Sequence, residues 1–288
     1  MKKLFVIVLA LLMIGAVCAC EKAPAPAPTG DMGETAAPAM STIDKIKDAG
    51  KLVAGVKDSV VPFGFVDEKK RELVGFDVDV CRYIAKKLKV KIEFKAVTSA
   101  NRIQMLTDGE VDILAATMTH KMERDEVIDF SITYFMDGQK LLVAKDSTIE
   151  SVADLAGKKV GSVKGSTSEK NVKEAQPKCE VISFEGYPEA FLALKQGKVE
   201  AVTTDSVILV GLKGSDENPD DWKIVGEFFS SEPYGLGVPE NDSEWRDFVN
   251  FTLMEMWVEG DWQKIYNKWL GPDTNYYMPL SWQIELWP

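Results

Sequence analysis

The sequence predicts an α/β fold made twice over: two mainly parallel sheets, each flanked by helices, joined by a pair of connecting strands. The first observation behind this is an internal echo. Lys51-Leu-Val-Ala-Gly-Val-Lys57 is matched by Lys159-Val-Gly-Ser-Val-Lys164, each a short apolar strand entering a polar turn. Gly109-Glu-Val-Asp-Ile-Leu-Ala115 is matched by Gly197-Lys-Val-Glu-Ala-Val-Thr203, each a helix-ending glycine followed by a buried strand. The segments before these glycines, 102–107 and 188–196, both read as helices. Each half therefore runs strand, helix, strand, helix, strand, the order that gives a mainly parallel sheet with helices on both faces. The second observation is length, because about 245 residues follow a low-complexity N-terminal stretch and suffice for two modest lobes.

The elements follow in order. Lys2 and Lys3 precede an apolar run from Leu4 to Val17, with the charge and length of a signal peptide rather than a membrane span. Val17-Cys18-Ala19-Cys20 has the pattern of a lipobox, with a small residue at the cleavage point. Residues 1–19 are expected to be removed and Cys20 to carry lipid; Cys18 as the acceptor, or a soluble protein cut near Ala19, are the alternatives. Residues 20–41, with Pro24, Pro26, Pro28 and Pro38 among Ala, Gly and Thr, cannot bury a core and are expected to form a flexible tether. Cys81 and Cys179 then remain as two free thiols in different lobes, packed as small hydrophobes.

Residues 42–138 are assigned to lobe 1, 139–232 to lobe 2, and 233–288 to the return into lobe 1 and a C-terminal tail. The chain leaves lobe 1 through 135–145 and returns through 231–239, where Pro233, Gly235 and Gly237 fall. Two such connections make a hinge, and a hinge allows closure over a ligand. Ligands of such sheets bind beyond the carboxyl ends of the strands. Residues 247–259 and 262–269 read as helices. The aromatic tail after them, with Trp282 and Trp287, is expected to pack on lobe 1.

Gly75-Phe-Asp-Val-Asp-Val80, running on into Cys81-Arg-Tyr-Ile-Ala-Lys-Lys-Leu88, is a turn glycine, a short strand and an amphipathic helix with Val80, Ile84 and Leu88 on one face. With Pro62-Phe-Gly-Phe65 before it, this stretch resembles the signature of the family 3 bacterial solute-binding proteins, the periplasmic receptors for polar amino acids. The resemblance runs from about Lys51 to Trp269. It implies the two-lobed periplasmic-binding-protein fold of the Venus flytrap, type II kind, and capture of a small molecule without its transformation.

A free amino acid presents a planar carboxylate, an ammonium and a side chain, so a receptor needs a fork-shaped cation, hydroxyl or amide donors, and an anion. Thr117-Met-Thr119, Glu123-Arg124 and Ile128-Asp-Phe-Ser131 resemble the family's carboxylate-binding segment. The resemblance implies that Arg124 makes a two-pronged contact to the α-carboxylate, with Thr117 and Thr119 assisting. The guanidinium is planar and permanently charged, which suits that task. The alternative is a surface Arg124 paired with Glu123 or Asp125. Asp205, after Val202-Thr-Thr204, stands where the family keeps the acidic partner of the ammonium, and it is also placed to cap a helix. Gly165-Ser166-Thr167 reads as a helix N-terminus able to receive an anionic group, without the ending of a Walker loop.

Lys57 and Arg102 match cationic positions of the glutamate/aspartate-binding branch. The comparison implies that they surround a side-chain carboxylate, with Ser99 assisting and Tyr187 offering a polar ring. The alternative pairs Arg102 with Asp108 or Glu110, and Lys57 with Asp58.

Catalytic and cofactor readings find little support. His120 is the one histidine and is expected at the cleft rim; no nucleophile motif accompanies it. No metal-ligand or dinucleotide motif is present, so no cofactor or metal is expected. Of the seven tryptophans, Trp245, Trp257, Trp262, Trp269 and Trp282 fall among helical spacings and read as packing residues. The net charge of −11 argues against nucleic acid and against adhesion to acidic lipid. The reading is a monomeric, lipid-anchored receptor on the extracytoplasmic side that delivers glutamate or aspartate to an ABC-type permease. An enzyme on the same scaffold, such as a cyclohexadienyl dehydratase or a lytic transglycosylase, and a ligand sensor for a signalling receptor are the rival readings. The second enzyme would need a fused domain for which the chain has no room.

Overall fold

The computed structural model describes residues 40–288, so the expected leader, the lipidated Cys20 and the tether up to residue 39 lie outside the described residues. Ser41, assigned to the tether, instead caps the helix Thr42–Ala49: the Asp44 amide donates to its hydroxyl at 3.3 Å.

Each lobe is built on one five-stranded sheet, and the two sheets share one topology. In lobe 1, Lys51–Val56 lies between Lys91–Ala96 and Ile113–Ala115, all parallel; Gly237–Val238 and Asp129–Phe130 complete the sheet. In lobe 2, Lys159–Val163 lies between Glu180–Phe184 and Ala201–Asp205, again parallel, followed by Gln139–Ala144 and Trp222–Val225. The echo in the sequence is thus a repeat in space. The fourth strand of each sheet has just crossed from the other lobe, and it runs antiparallel to its neighbours. Parallel pairing is therefore confined to three strands per sheet. The crossings themselves, Phe135–Asp137 and Glu232–Tyr234, pair antiparallel, with Asp137 opposite Glu232 and Phe135 opposite Tyr234.

The helix Phe76–Leu88 starts directly after Gly75, without the short strand expected there, and buries Val80, Ile84 and Leu88 as its spacing predicts, each stabilising the fold by about 1.5–3 kcal/mol. Gly75 enters it at φ 140, and a Cβ there would stand 2.0 Å from the Phe63 carbonyl oxygen. No other residue fits that approach. Helices Ser243–Val258 and Asp261–Leu270 bring Trp245 and Trp262 fully inside. Their indole N–H groups donate to Asp112 O at 2.9 Å and Tyr134 O at 3.2 Å, which satisfies the one polar atom of each ring.

The tail packs on this helical layer. Trp282 meets Trp262 and the hinge residue Phe135 edge-on and Trp257 at a tilt, and Trp287 meets Phe251. Tyr276 reaches further, to the Ser215 hydroxyl of lobe 2. Cys81 is buried in lobe 1 and Cys179 half-buried in lobe 2, both as free thiols. Among the described residues no helix is long and apolar enough to cross a membrane.

Candidate functional site

The residues just beyond the parallel strands of the two lobes meet each other. In lobe 1, Lys57 follows Lys51–Val56, is only 4% exposed, and donates from Nζ to the Ser99 hydroxyl at 2.8 Å. Thr117 follows Ile113–Ala115 with φ 47, a conformation that a β-branched residue adopts only when its surroundings impose it. Two buried groups impose it here. The Asp77 carboxylate accepts from the Thr117 amide at 3.1 Å and from the Tyr134 hydroxyl at 2.7 Å. From the other side, Arg102 Nη1 donates to the Ala116 carbonyl at 2.5 Å and the Thr117 carbonyl at 3.3 Å.

Arg102 therefore has no ion pair with Asp108 or Glu110: Asp108 takes Gln104, and Glu110 lies 3.8 Å from Lys95. Its Nε is buried without a protein partner. Arg124 likewise leaves Glu123 to Lys170 and Asp125 to His120. It turns into the cleft, where Nη1 donates to the Thr119 carbonyl at 2.8 Å. Three cations thus converge. Burial pushes the Lys57 ammonium well below its usual range, and the neighbouring Arg102 adds to this. Burial also lowers the proton affinity of Arg124.

In lobe 2, Ser166 caps Thr167–Ala175 and spends its hydroxyl proton on the Val163 carbonyl at 2.6 Å, so its side chain stays within the cap. Thr167 is buried and faces the hinge. Tyr187, at the start of Tyr187–Lys195, is 4% exposed, with its phenol near Asp205 and Thr204. Its ring also lines a groove of about 280 Å³ between the lobes, with Val60, Val61 and Ile208. Asp205 stands at the N-cap position of Ser206–Gly214 but makes no side-chain cap. It accepts instead from the Tyr234 hydroxyl, and its other oxygen is buried without a protein partner. Burial, then the nearby Glu232 and Asp137, raise its carboxyl well above the usual range. An ammonium placed against it would reverse that shift.

The hinge supplies groups that the sequence reading passes over. Glu232 is fully buried and accepts from Ser230, Asn171, Thr167 and Thr119. Asp137, opposite it, accepts from the Ser206 hydroxyl and the Val207 and Gly138 amides, and burial pushes its carboxyl up to about 6. The available signal is a carboxylate directly before Pro233-Tyr234 in the Ser231–Pro239 connection, where a plain hinge strand would carry apolar residues.

The cleft is closed. Arg124 Nη2 reaches the Gly165 carbonyl of lobe 2 at 3.4 Å, Lys121 Nζ reaches Asn171 at 3.2 Å, and Lys170 pairs with Glu123 at 2.5 Å. Gly211 of lobe 2 lies against the Val61 carbonyl so tightly that a Cβ would stand 1.9 Å from its oxygen. His120 lies at the rim, stacked on Phe130 and 2.8 Å from Asp125. Among the described residues no group of His, Cys, Asp and Glu is arranged to hold a metal ion.

Two lobes on a paired hinge, shut over buried hydroxyls, cations and carboxylates, are the architecture of a receptor for a small solute. The chain belongs to the bacterial extracellular solute-binding proteins, family 3, whose model matches residues 52–272. It is 44% identical to the ABC transporter glutamine-binding protein GlnH of Bacillus subtilis, over 81% of this chain and 85% of that relative. It is 33% identical to the glutamate/aspartate import solute-binding protein of Salmonella typhimurium, over 88% of both. Among solved structures, an ancestral arginine-binding protein bound to glutamine superposes with a TM-score of 0.73 at 43% identity, covering 77% of this chain and 98% of that one.

Proposed function

We propose that this chain captures an acidic amino acid, glutamate or aspartate, between its lobes and presents it to an ABC-type permease while held to the membrane by lipid on Cys20. The observation that carries the ligand class is the convergence of Lys57, Arg102 and Arg124 on one buried surface. Of the buried carboxylates nearby, Asp77, Asp137 and Glu232 are taken up by hydroxyl, amide and backbone donors, and Asp205 keeps one oxygen without a protein partner. An amino acid with a second carboxylate offers one partner to Arg124 and another to Lys57 and Arg102. An arginine side chain would instead bring a further cation against Lys57. In this reading Arg124 holds the α-carboxylate, Asp205 the ammonium, and Lys57 and Arg102, with Ser99 assisting, the side-chain carboxylate, which would meet the Arg102 Nε that has no protein partner. Thr117 and Thr119 line the α-carbon end, with Thr167 and Tyr187 facing them, and Ser166 contributes through its backbone.

Glutamine is the second reading. It is favoured by the two relatives at 43–44% identity whose names carry glutamine, and by the depressed proton affinity of Lys57. A neutral amine can accept a hydrogen bond from a side-chain amide.

A dehydratase on this scaffold would need a carboxylic acid at the cleft centre. Asp205 has the raised proton affinity for that role, but its side chain is held by the Tyr234 hydroxyl. The test is a thermal-shift panel of the common amino acids with prephenate and arogenate alongside. Acidic amino acids should raise the melting temperature most, and both ring substrates should be recovered unchanged. Stabilisation by basic amino acids alone, or turnover that follows the protein through purification, would refute the reading.

A further inference from the structure

We propose that Glu232 is a positioning residue that sets the polarity of the site's hydroxyls and ties their alignment to lobe closure. This rests on the reading of the ligand as a free amino acid. Glu232 lies in a hinge strand and is fully buried. Its Oε1 accepts from the Ser230 hydroxyl at 2.7 Å and from Asn171 Nδ2 at 2.9 Å. Its Oε2 accepts from two hydroxyls at once: Thr167 of lobe 2, at 2.8 Å, and Thr119 of lobe 1. One carboxylate oxygen therefore joins both lobes in the closed state.

The chemical consequence follows from proton counting. A threonine hydroxyl has one proton to give. Thr119 and Thr167 both give theirs to Glu232, so what each turns toward the cleft is a lone pair. Thr167 already uses one in accepting from Gln139 Nε2 at 3.1 Å. Thr119 is fixed further by its carbonyl, which accepts from Arg124 at 2.8 Å. A hydroxyl held this way repels a carboxylate and attracts an ammonium. Thr119 thus serves the ammonium end of the ligand beside Asp205, and the α-carboxylate is left to Arg124. Glu232 does this without touching the ligand.

The substitution Glu232→Gln keeps the shape and replaces one acceptor oxygen by a donor, which frees at least one hydroxyl proton. The probes are the amino acid that the wild type binds and the same molecule with hydrogen in place of the ammonium: glutarate for glutamate, glutaramate for glutamine. Calorimetric titration should show the amino acid weakened about tenfold or more, the fold-change of one hydrogen bond to a charged group, with the deaminated probe changed much less. Equal losses for both probes, or no loss for either, would overturn the proposal, since a merely structural role has no reason to single out the ammonium. Should Glu232→Gln fail to fold, Glu232→Asp, which keeps the charge but withdraws it from Thr119, is read by the same two outcomes. A wild type that binds no amino acid would refute the ligand reading instead, and is seen in the control titration.

Discussion

Arg124 spans the cleft: one of its nitrogens donates to the Thr119 carbonyl in its own lobe and the other reaches the Gly165 carbonyl in the opposite lobe. A single guanidinium thus senses both sides of the closed state. It is also the one cation of the three that reaches across to the other lobe through a hydrogen bond.

Arg124→Ala should weaken every amino acid alike, because it removes the contact to the carboxylate that they share. Truncating one partner of a desolvated charge pair costs about 2–5 kcal/mol, and each 1.4 kcal/mol is about tenfold. Arg124→Lys should recover only part of this, since an ammonium cannot make the forked contact. Titration of glutamate and glutamine against both variants checks the ranking.

Gly211→Val should impair closure from outside the site. Its Cβ would collide with the Val61 backbone, which has no flexible end to yield. Affinity should fall while the melting temperature of the unliganded protein changes little. Small-angle scattering with saturating ligand should show a larger radius of gyration than the wild type.

Burial raises the Asp77 carboxyl from 3.8 to about 7, against hydrogen bonds from Tyr134 and Thr117 that oppose the shift. The folded state therefore binds a proton that the unfolded state has released. Asp77 supports stability most fully below pH 4, and that support is lost as pH rises through about 7. Asp77→Asn is neutral throughout. The wild type's melting temperature relative to this variant should consequently fall between about pH 4 and about pH 7 and level off above, as scanning calorimetry can follow. A constant difference would show that Asp77 does not take up that proton.

Ligand binding should also be linked to pH through Lys57. Burial and Arg102 push its ammonium down in the closed protein, and a ligand carboxylate beside it would push it back up. Binding of glutamate should therefore take up protons, and its affinity should fall as pH rises through the lowered range. Glutamine has no charge at that end and should show a flatter profile. Titrations in buffers of different ionisation enthalpy measure the proton uptake directly.

Much of this site is legible in the sequence because it lies where strands end. Lys57, Thr117, Thr119, Thr167 and Asp205 each fall within a few residues past, or at the close of, a parallel strand whose apolar run is plain. Arg102 and Arg124 are legible as residue types, but not their partners. The local alternatives, Asp108 and Glu110 or Glu123 and Asp125, are taken by other groups once the chain folds. Arg102 instead holds backbone carbonyls, a role that no side-chain pattern announces. Glu232 and Tyr234 escape notice because their meaning depends on the pairing of the two crossings and on which lobe donates to them. Asp77 is quoted within the Gly75 motif, yet its task is to brace Thr117, a residue distant in sequence and reached only in the tertiary fold.

The central claim, that buried cations read a side-chain carboxylate, is tested most directly by calorimetric titration of glutamate and glutamine into the wild type, Lys57→Ala and Arg102→Ala. The wild type should bind glutamate the more tightly. Each variant should lose about 2–5 kcal/mol for glutamate, the cost of stranding a desolvated charge, and much less for glutamine. Tighter binding of glutamine by the wild type, with equal losses for both ligands in the variants, would contradict the account.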